Sequence, residues 1–276
     1  MAWRAWGEGP PLVLLHGASG SWMHWIRNVT ALARELRVLA PDLPGFGDSE
    51  DPPPPADADT LAAVLAAGLD VVAPPPATVD IAGFSFGGII AGLVAARLRN
   101  RVRTLVLVGP NGMALPVGPT QPLRRVTADM TPDVVRDAHR QNLRVLMVAR
   151  PESADDLAVH VQMEGLRRAR FKSGSIPLSD TLLRALPDVT ARLAGIWGAH
   201  DAFAVPYLDD RRRTLAAFQP DLDFRVIADA GHWVVYEAAD AVNAALLDIL
   251  SAGRRRAPRA HRPGARRAGS GPPPEW

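Results

Sequence analysis

Gly83-Phe84-Ser85-Phe86-Gly87-Gly88 is the stretch of this sequence that says most about its architecture. A strand-like run, Thr78–Gly83, precedes the serine, and a helix pattern rich in small residues, Phe86–Leu98, follows it. A serine on such a tight turn has a strained backbone, and the flanking glycines are needed because side chains there would collide. The turn pushes the hydroxyl outward. We therefore expect Ser85 to be a nucleophile, the alternative being a tight turn without chemistry.

Short apolar runs and alanine-rich helix patterns alternate on both sides of this turn. That alternation is typical of an α/β protein whose mostly parallel sheet is covered by helices. The predicted strands are Pro11–His16, Leu36–Ala40, Thr78–Gly83, Arg103–Val108, Arg192–Trp197 and Asp223–Ile227, and the predicted helices between and after them are Asn28–Glu35, Ala56–Val72, Phe86–Leu98 and Ala238–Ser251.

One interval, residues 111–187, breaks the alternation because it contains helix signals and no good strand. Thr131-Pro132-Asp133 supplies an N-cap, a first-turn proline and an acidic residue, and Ser153 opens a second helix that reaches about Arg170. We expect a helical cap, or lid, over the edge of the sheet. The core is then residues 1–110 and 188–252. Residues 253–276 combine Arg, Pro and Gly without periodicity, which predicts a disordered tail.

Composition excludes several classes of function. Seven arginines and one glutamate lie in residues 254–276, so 24 basic and 28 acidic side chains remain in residues 1–253, a net charge of −4. This balance gives no reason to expect nucleic-acid binding. There is no cysteine, which removes disulfides, thiolate catalysis and cysteine-ligated zinc. No metal signature replaces it, and we expect neither a metal nor a cofactor. The oligomeric state stays open.

The sequence also predicts where the protein resides. No apolar run of about 18 residues could span a bilayer. The first residues lack the apolar stretch and cleavage site of a secretory signal. We therefore expect a cytoplasmic protein that acts on a small molecule and does not bind membranes.

A serine hydroxyl is a poor nucleophile unless a base removes its proton. Of the seven histidines, His232 is the best candidate for that base, because it lies in the loop between the strand Asp223–Ile227 and the last helix. An acid must orient the imidazole, and Asp201 directly follows the strand Arg192–Trp197. The order Ser85, Asp201, His232 is the order found in hydrolases with a nucleophile elbow.

An acyl-transfer site also needs donors for the oxyanion that forms on the attacked carbonyl. By position, the backbone N–H groups of Phe86 and of Ala18, in the loop His16–Gly20, would supply them. The alternative for this glycine-containing loop is a phosphate cradle. No lysine follows, so the pattern is not a P-loop.

Together these motifs resemble the α/β-hydrolase superfamily over roughly residues 10–250. The shared features are the His16-Gly17 turn, the segment Pro41–Ser49, the serine elbow and the late Gly231-His232 pair. The resemblance implies an α/β-hydrolase fold whose helical lid follows the sixth strand of that family's numbering. It also implies that Asp42 and Ser49 stabilise a turn and are not catalysts.

Within the superfamily, the segments around Asp201 and His232 look like the lidded hydrolases that cleave a carbon–carbon bond in ring-fission products of aromatic degradation. Trp233 would then form a pocket wall. Those enzymes usually carry a polar residue before the nucleophile, and here Phe84 stands there, which favours an apolar acyl pocket. The lid arginines Arg167, Arg168 and Arg170 are candidates for binding a substrate carboxylate.

Three functions follow as hypotheses. The first is hydrolysis of a small or medium, largely apolar carboxylic ester through an acyl-serine intermediate. The second is hydrolysis of the carbon–carbon bond in a 2-hydroxy-6-oxo-dienoate type product. The third, from another class, is a ligand receptor on a hydrolase scaffold.

Overall fold

The computed structural model describes residues 1–119 and 121–256. Seven strands in this part of the chain form one sheet: β1 Trp3–Trp6, β2 Pro11–Leu15, β3 Arg37–Pro41, β4 Val79–Phe84, β5 Val102–Val108, β6 Arg192–Gly198 and β7 Asp223–Ile227. Their order across the sheet is β1-β3-β2-β4-β5-β6-β7. All neighbours pair in parallel except β1, which runs antiparallel to β3.

The α-helices of the described residues are α1 Val29–Leu32, α2 Ala58–Val72, α3 Phe86–Leu98, α4 Pro132–Leu146, α5 Asp156–Arg168, α6 Thr181–Ala185, α7 Leu208–Ala216, α8 Val234–Glu237 and α9 Ala239–Arg256. Short 3₁₀ turns cover Trp22–Trp25, Arg99–Arg101, Pro151–Ser153, Ile176–Leu178 and Leu186–Asp188.

Helices cover both faces of the sheet, which explains why most residues of the central strands are apolar. On one face, Val13, Ile81 and Leu105 pack with buried residues of α2 and α3. On the other face, Leu14 and Val106 pack with α1, α8 and α9. Every residue of β4 is buried. A strand buried on both faces has no need of polar residues, and this is the pattern of Leu12–Leu15 and Leu105–Val108.

Between β5 and β6 the described residues form helices and no strand. We call residues 111–187 the helical segment. Its helices α4 and α5 join the core on one side through residues such as Leu143 and Val159. Its short helix α6 packs on α3, where Leu182 fills the space beside Gly92. The helical segment therefore contributes buried residues to the clusters on both sides of the sheet.

The structure differs from the sequence prediction at both ends of the chain. Strand β1 was not predicted, and it completes the sheet at an edge. Helix α9 continues to Arg256, into the first residues of the predicted tail, where the Arg254 guanidinium lies 3.9 Å from the buried carboxylate of Asp80. The rest of the predicted tail, residues 257–276, lies outside the described residues.

Two helix predictions also change. The helix expected at Asn28–Glu35 shrinks to the four residues of α1. Helix α5 begins at Asp156, and the side chain of its N-cap Asp155 accepts the N–H of Ala158. Ser153 ends a separate 3₁₀ turn. An aspartate cap two residues later thus replaces the predicted serine.

Candidate active site

Ser85 stands between the end of β4 and the start of α3 with a backbone that few residues adopt, φ 51° and ψ −119°. Side chains at the neighbouring glycines have no room: a Cβ on Gly83 would lie 2.4 Å from the Gly87 carbonyl oxygen, and one on Gly87 would lie 2.4 Å from that of His16. The Ser85 N–H donates to the Val108 carbonyl at 2.8 Å. Sterics and pairing with β5 together hold the strained turn.

The structure brings Ser85, His232 and Asp201 together. Ser85 Oγ lies 3.0 Å from His232 Nε2, and His232 Nδ1 lies 2.9 Å from Asp201 Oδ2. Both the imidazole and the carboxylate are almost fully buried. A carboxylate only accepts hydrogen bonds, so Nδ1 carries the proton and Nε2 is left to accept the one from the serine hydroxyl. We call this hydrogen-bonded set the Ser85–His232–Asp201 relay.

The three residues of the relay lie in loops that follow β4, β6 and β7, so they meet beside the carboxyl ends of these strands. The remaining carboxylate oxygen of Asp201, Oδ1, accepts the N–H of Phe203 at 2.9 Å. The rings of Phe203 and Phe84 pack on the His232 imidazole, with centroid distances of 4.6 and 5.2 Å. These contacts fix the imidazole between its two hydrogen-bond partners.

A buried carboxylate fixes the loop that carries His232. Glu237 Oε2 accepts the N–H groups of Gly231 at 2.6 Å and of Ala149 at 2.9 Å, and Oε1 accepts that of Arg150 at 2.8 Å. Ala149 and Arg150 belong to the helical segment. One side chain thus joins the His232 loop to the helical segment, and each backbone donor gains a charged acceptor.

A cavity of about 200 Å³ opens onto the relay. Its walls come from the loops after β2, β4, β5 and β6 and from the helical segment: Gly17, Ala18, His24, Phe84, Ser85, Asn111, Met147, Pro177, Phe203 and His232. No arginine, lysine, aspartate or glutamate of the described residues is in this lining. The cavity is smaller than the 300–1,000 Å³ usual for ligand pockets, so it suits a small substrate.

Of the other predicted site residues, Ala18 and Phe84 line this cavity. Phe86 is the first residue of α3, so its N–H has no acceptor within the helix and lies beside Ser85. Trp233 does not line the cavity, contrary to our expectation. It is fully buried behind His24, where its Nε1–H donates to the His24 carbonyl and its ring stacks on Tyr236.

The three arginines considered for a substrate carboxylate do not line the cavity. Arg167 pairs with Glu164, and Arg168 pairs with Glu164 and Asp48. Arg170 pairs with Asp51. Their side chains are between 40 and 61% exposed. The structure therefore gives them ion pairs on the surface and no contact with the relay.

Two polar residues of the cavity were missed in the sequence. Asn111 follows β5, so the rule that located Ser85 and Asp201 at the carboxyl ends of strands could have found it. His24 follows no strand end, and nothing in its local sequence marks it. Its position depends on packing against Phe84 and Trp233, with ring centroids at 5.5 and 5.1 Å.

Comparison with known proteins fits this geometry. A family model described as the alpha/beta hydrolase family matches residues 12–245. The chain belongs to the alpha/beta hydrolase family. It is an enzyme of the alpha/beta hydrolase type, with a mostly parallel seven-stranded sheet flanked by helices.

Individual alpha/beta hydrolase relatives differ in what they act on. A 2-hydroxy-6-oxononadienedioate/2-hydroxy-6-oxononatrienedioate hydrolase of Comamonas testosteroni is 28% identical over 90% of this chain and 90% of its own. A dihydrolipoyllysine-residue acetyltransferase component of an acetoin cleaving system from Pseudomonas putida is 31% identical over 88% of this chain, which spans 64% of that protein. A thermophilic esterase from Thermogutta terrifontis superposes with a TM-score of 0.67 at 24% identity, over 91% of this chain and 93% of that one.

Two further findings concern the part of this alpha/beta hydrolase that the structure describes. No helix there is both long enough and apolar enough to cross a membrane. No group of histidine, aspartate and glutamate side chains there is arranged to hold a metal ion.

Proposed function

We propose that this enzyme hydrolyses small, largely apolar carboxylic esters through an acyl-serine intermediate. The observation that carries the proposal is the cavity onto which the relay opens, which is small and has no charged side chain in its lining. An ester presents a carbonyl carbon to the nucleophile and needs no counter-ion elsewhere in the pocket. A carboxylate placed in the same cavity would lose its hydration without gaining an ion pair.

In the first half-reaction, His232 Nε2 accepts the proton of the Ser85 hydroxyl while Oγ attacks the carbonyl carbon of the ester. The backbone N–H groups of Ala18 and Phe86 donate hydrogen bonds to the oxyanion of the tetrahedral intermediate and stabilise its negative charge. His232 then gives its proton to the leaving alkoxide, and the acyl group stays on Ser85. Asp201 holds the tautomer that makes Nε2 an acceptor, and it stabilises the imidazolium.

In the second half-reaction, His232 Nε2 takes a proton from water, and the hydroxide attacks the acyl carbonyl. The same N–H groups stabilise the oxyanion of this second tetrahedral intermediate. The intermediate collapses with transfer of the proton to Ser85 Oγ, which releases the carboxylic acid and restores the enzyme.

The test is pre-steady-state kinetics with 4-nitrophenyl butanoate. We expect a burst of nitrophenol equal to the enzyme concentration, trapping of a butanoyl group on Ser85 in the intact protein's mass, and loss of both in Ser85→Ala. A matched control is Ser153→Ala, which changes a serine in the helical segment and should keep the burst. Turnover without an acyl-enzyme, or turnover that survives in Ser85→Ala, would contradict the proposal.

The second candidate is hydrolysis of a carbon–carbon bond in a ring-fission product. Relatives such as the Comamonas testosteroni enzyme favour it by name, and the same relay could serve both reactions. The lining of the cavity and the surface pairing of Arg167, Arg168 and Arg170 favour the ester, because a dienoate carboxylate finds no cation in the cavity. Rapid bleaching of a coloured 2-hydroxy-6-oxo-dienoate together with feeble esterase activity would reverse this order.

A further inference from the structure

Two polar groups of the cavity have no part in the mechanism above. Asn111 and His24 line the cavity beside Ser85 and His232. Each has one side-chain atom engaged by the protein and a second atom with no hydrogen-bond acceptor among the described residues. In an apolar cavity such groups are costly unless a ligand satisfies them.

The orientation of Asn111 is set from behind by a buried arginine. Arg211 is 1% exposed, and its Nη2 donates to Asn111 Oδ1 at 3.0 Å. The same Nη2 also donates to the carbonyl oxygens of Phe203 and Pro116. A guanidinium only donates, so the atom of Asn111 that faces it must be the oxygen. The Nδ2 group is therefore the free end, and it offers two N–H donors.

The orientation of His24 is set by the loop that carries Ala18. Its Nδ1 accepts the N–H of Gly17 at 3.1 Å. Burial, with smaller contributions from the nearby His16 and His232, lowers the pKa of His24 to about 3, so the ring is neutral near pH 7. A neutral imidazole that accepts at Nδ1 carries its proton at Nε2. The ring packs directly against the backbone of Gly20, so closely that a Cβ added at Gly20 would lie 2.1 Å from His24 Cε1. The ring therefore has no room to move toward Gly20.

We propose that Asn111 Nδ2 and His24 Nε2–H form a polar subsite that binds a second, uncharged oxygen acceptor of the substrate, such as a ketone carbonyl. Both groups donate and neither is charged. The subsite thus suits a neutral acceptor, and it offers a carboxylate no counter-ion. This inference rests on the proposed ester hydrolysis and narrows it to esters that carry a second carbonyl group.

The kinetic test compares esters that differ only by a CH₂ or C=O group. One series is 4-nitrophenyl alkanoates and their oxo derivatives with the ketone at C4, C5 or C6. A second series places the ketone in the alcohol, as in 2-oxopropyl and 3-oxobutyl butanoates beside propyl and butyl butanoates. We expect at least one keto ester to exceed its alkyl partner about tenfold in kcat/KM, after correction for rates with hydroxide.

Two variants remove the donors and keep the structural contacts. Asn111→Asp retains an oxygen toward Arg211 and loses both N–H donors. His24→Asn retains an acceptor for the Gly17 N–H, because Oδ1 is as far from Cβ along the chain as Nδ1. It loses the Nε2 donor, and its own amide donor Nδ2, which is one bond from Cγ, does not reach the position of Nε2. The keto preference is the ratio of kcat/KM for a keto ester to kcat/KM for its alkyl partner. We expect this ratio to fall to about 1 in His24→Asn and below 1 in Asn111→Asp. Asn100→Asp and His139→Asn make the same changes outside the cavity and should keep the wild-type ratio.

A binding test separates this inference from the ester proposal. Ser85→Ala protein labelled with ¹⁵N is titrated with 2-hexanone, which cannot be hydrolysed. We expect saturable shifts of the His24 Nε2 and Asn111 Nδ2 resonances and no comparable shifts with hexane. If bursts are absent but these shifts occur, the ester proposal fails and the subsite stands. Three results would overturn the subsite. The wild type could show no keto preference, the preference could survive in both variants, or an ester that carries a carboxylate could be preferred over the keto ester.

Discussion

At the scale of single residues, the relay depends on which nitrogen of His232 carries the proton. Asp201 Oδ2 faces Nδ1, and Ser85 Oγ faces Nε2. Because Asp201 Oδ2 accepts a hydrogen bond from the protonated Nδ1, Nε2 carries no proton and can accept one from Ser85. In the proposed mechanism, the identity of one atom of Asp201 therefore determines whether Ser85 can lose its proton.

Asp201→Asn tests this dependence with almost no change in size. Its amide would face Nδ1 as a donor, which favours the wrong tautomer, so we expect kcat for 4-nitrophenyl butanoate to fall by about 10⁴-fold. Substrate binding should change little, because Asp201 does not line the cavity. Asp209→Asn, on the exposed side of α7, is the matched control and should retain wild-type kcat. A loss of less than tenfold in Asp201→Asn would argue against the assigned tautomer.

At the scale of elements, Glu237 joins the helical segment to the His232 loop, beside the hydrogen bond from the Trp233 N–H to the Met147 carbonyl. We expect Glu237→Ala to lower the free energy of unfolding by about 3 kcal/mol, because it leaves three backbone N–H groups without their acceptor. Glu237→Gln keeps acceptor capacity and should lose less. Urea denaturation measures both values.

The matched control for this prediction is Glu152→Ala. Glu152 lies nearby in the 3₁₀ turn Pro151–Ser153 and is exposed, so its substitution should change the free energy of unfolding by less than about 0.5 kcal/mol. Equal losses in Glu237→Ala and Glu152→Ala would show that the hydrogen bonds to the buried carboxylate do not stabilise the folded protein.

The sequence located the elements that have strong local signals. The buried runs around Leu12–Leu15 and Leu105–Val108 predict central parallel strands, and Phe86–Leu98 matches α3 at both ends. Strand β1 lacks such a signal, because its four residues pair only at the sheet edge and are mostly half-buried. Helix α7 was not predicted. Of its three consecutive arginines, Arg211 is buried while Arg212 and Arg213 are exposed, a difference that local sequence does not show.

The same distinction applies to the site. Ser85, Asp201 and His232 each follow a strand, so chain position alone indicates that they meet at one edge of the sheet. The contributions of Asn111, Arg211 and His24 depend on which loops pack against one another. Local sequence does not encode such contacts. Trp233 illustrates the limit: it is next to His232 in the chain, yet its side chain lies behind His24 and outside the cavity.

At the scale of the whole molecule, burial of His24 links stability to pH. The pKa of about 3 in the folded protein is below the value of 6.5 for an exposed histidine. Between these values the unfolded chain binds a proton that the folded protein does not, so stability falls as pH decreases from about 6.5 toward 3. One such proton corresponds to about 1.4 kcal/mol per pH unit.

His24→Asn removes that proton from the balance. We expect the slope of unfolding free energy against pH, measured by urea denaturation between pH 4.5 and 6, to decrease by up to one proton relative to wild type. Burial also lowers the pKa of His16, so part of the slope should remain. His160→Asn, in an exposed position on α5, should reduce the slope far less. An unchanged slope in His24→Asn would mean that His24 titrates normally in the folded protein.

The contact made by Glu237 has a consequence for exchanging parts among relatives. A chimera that receives residues 111–187 from another hydrolase inherits a foreign backbone at positions 149 and 150, while the recipient still supplies the carboxylate. If the donor's loop does not offer two N–H groups in the same place, the graft leaves the buried carboxylate with one backbone donor, the N–H of Gly231, and disturbs the loop that carries His232. Transplanting residues 111–187 therefore requires moving residues 230–237 with them.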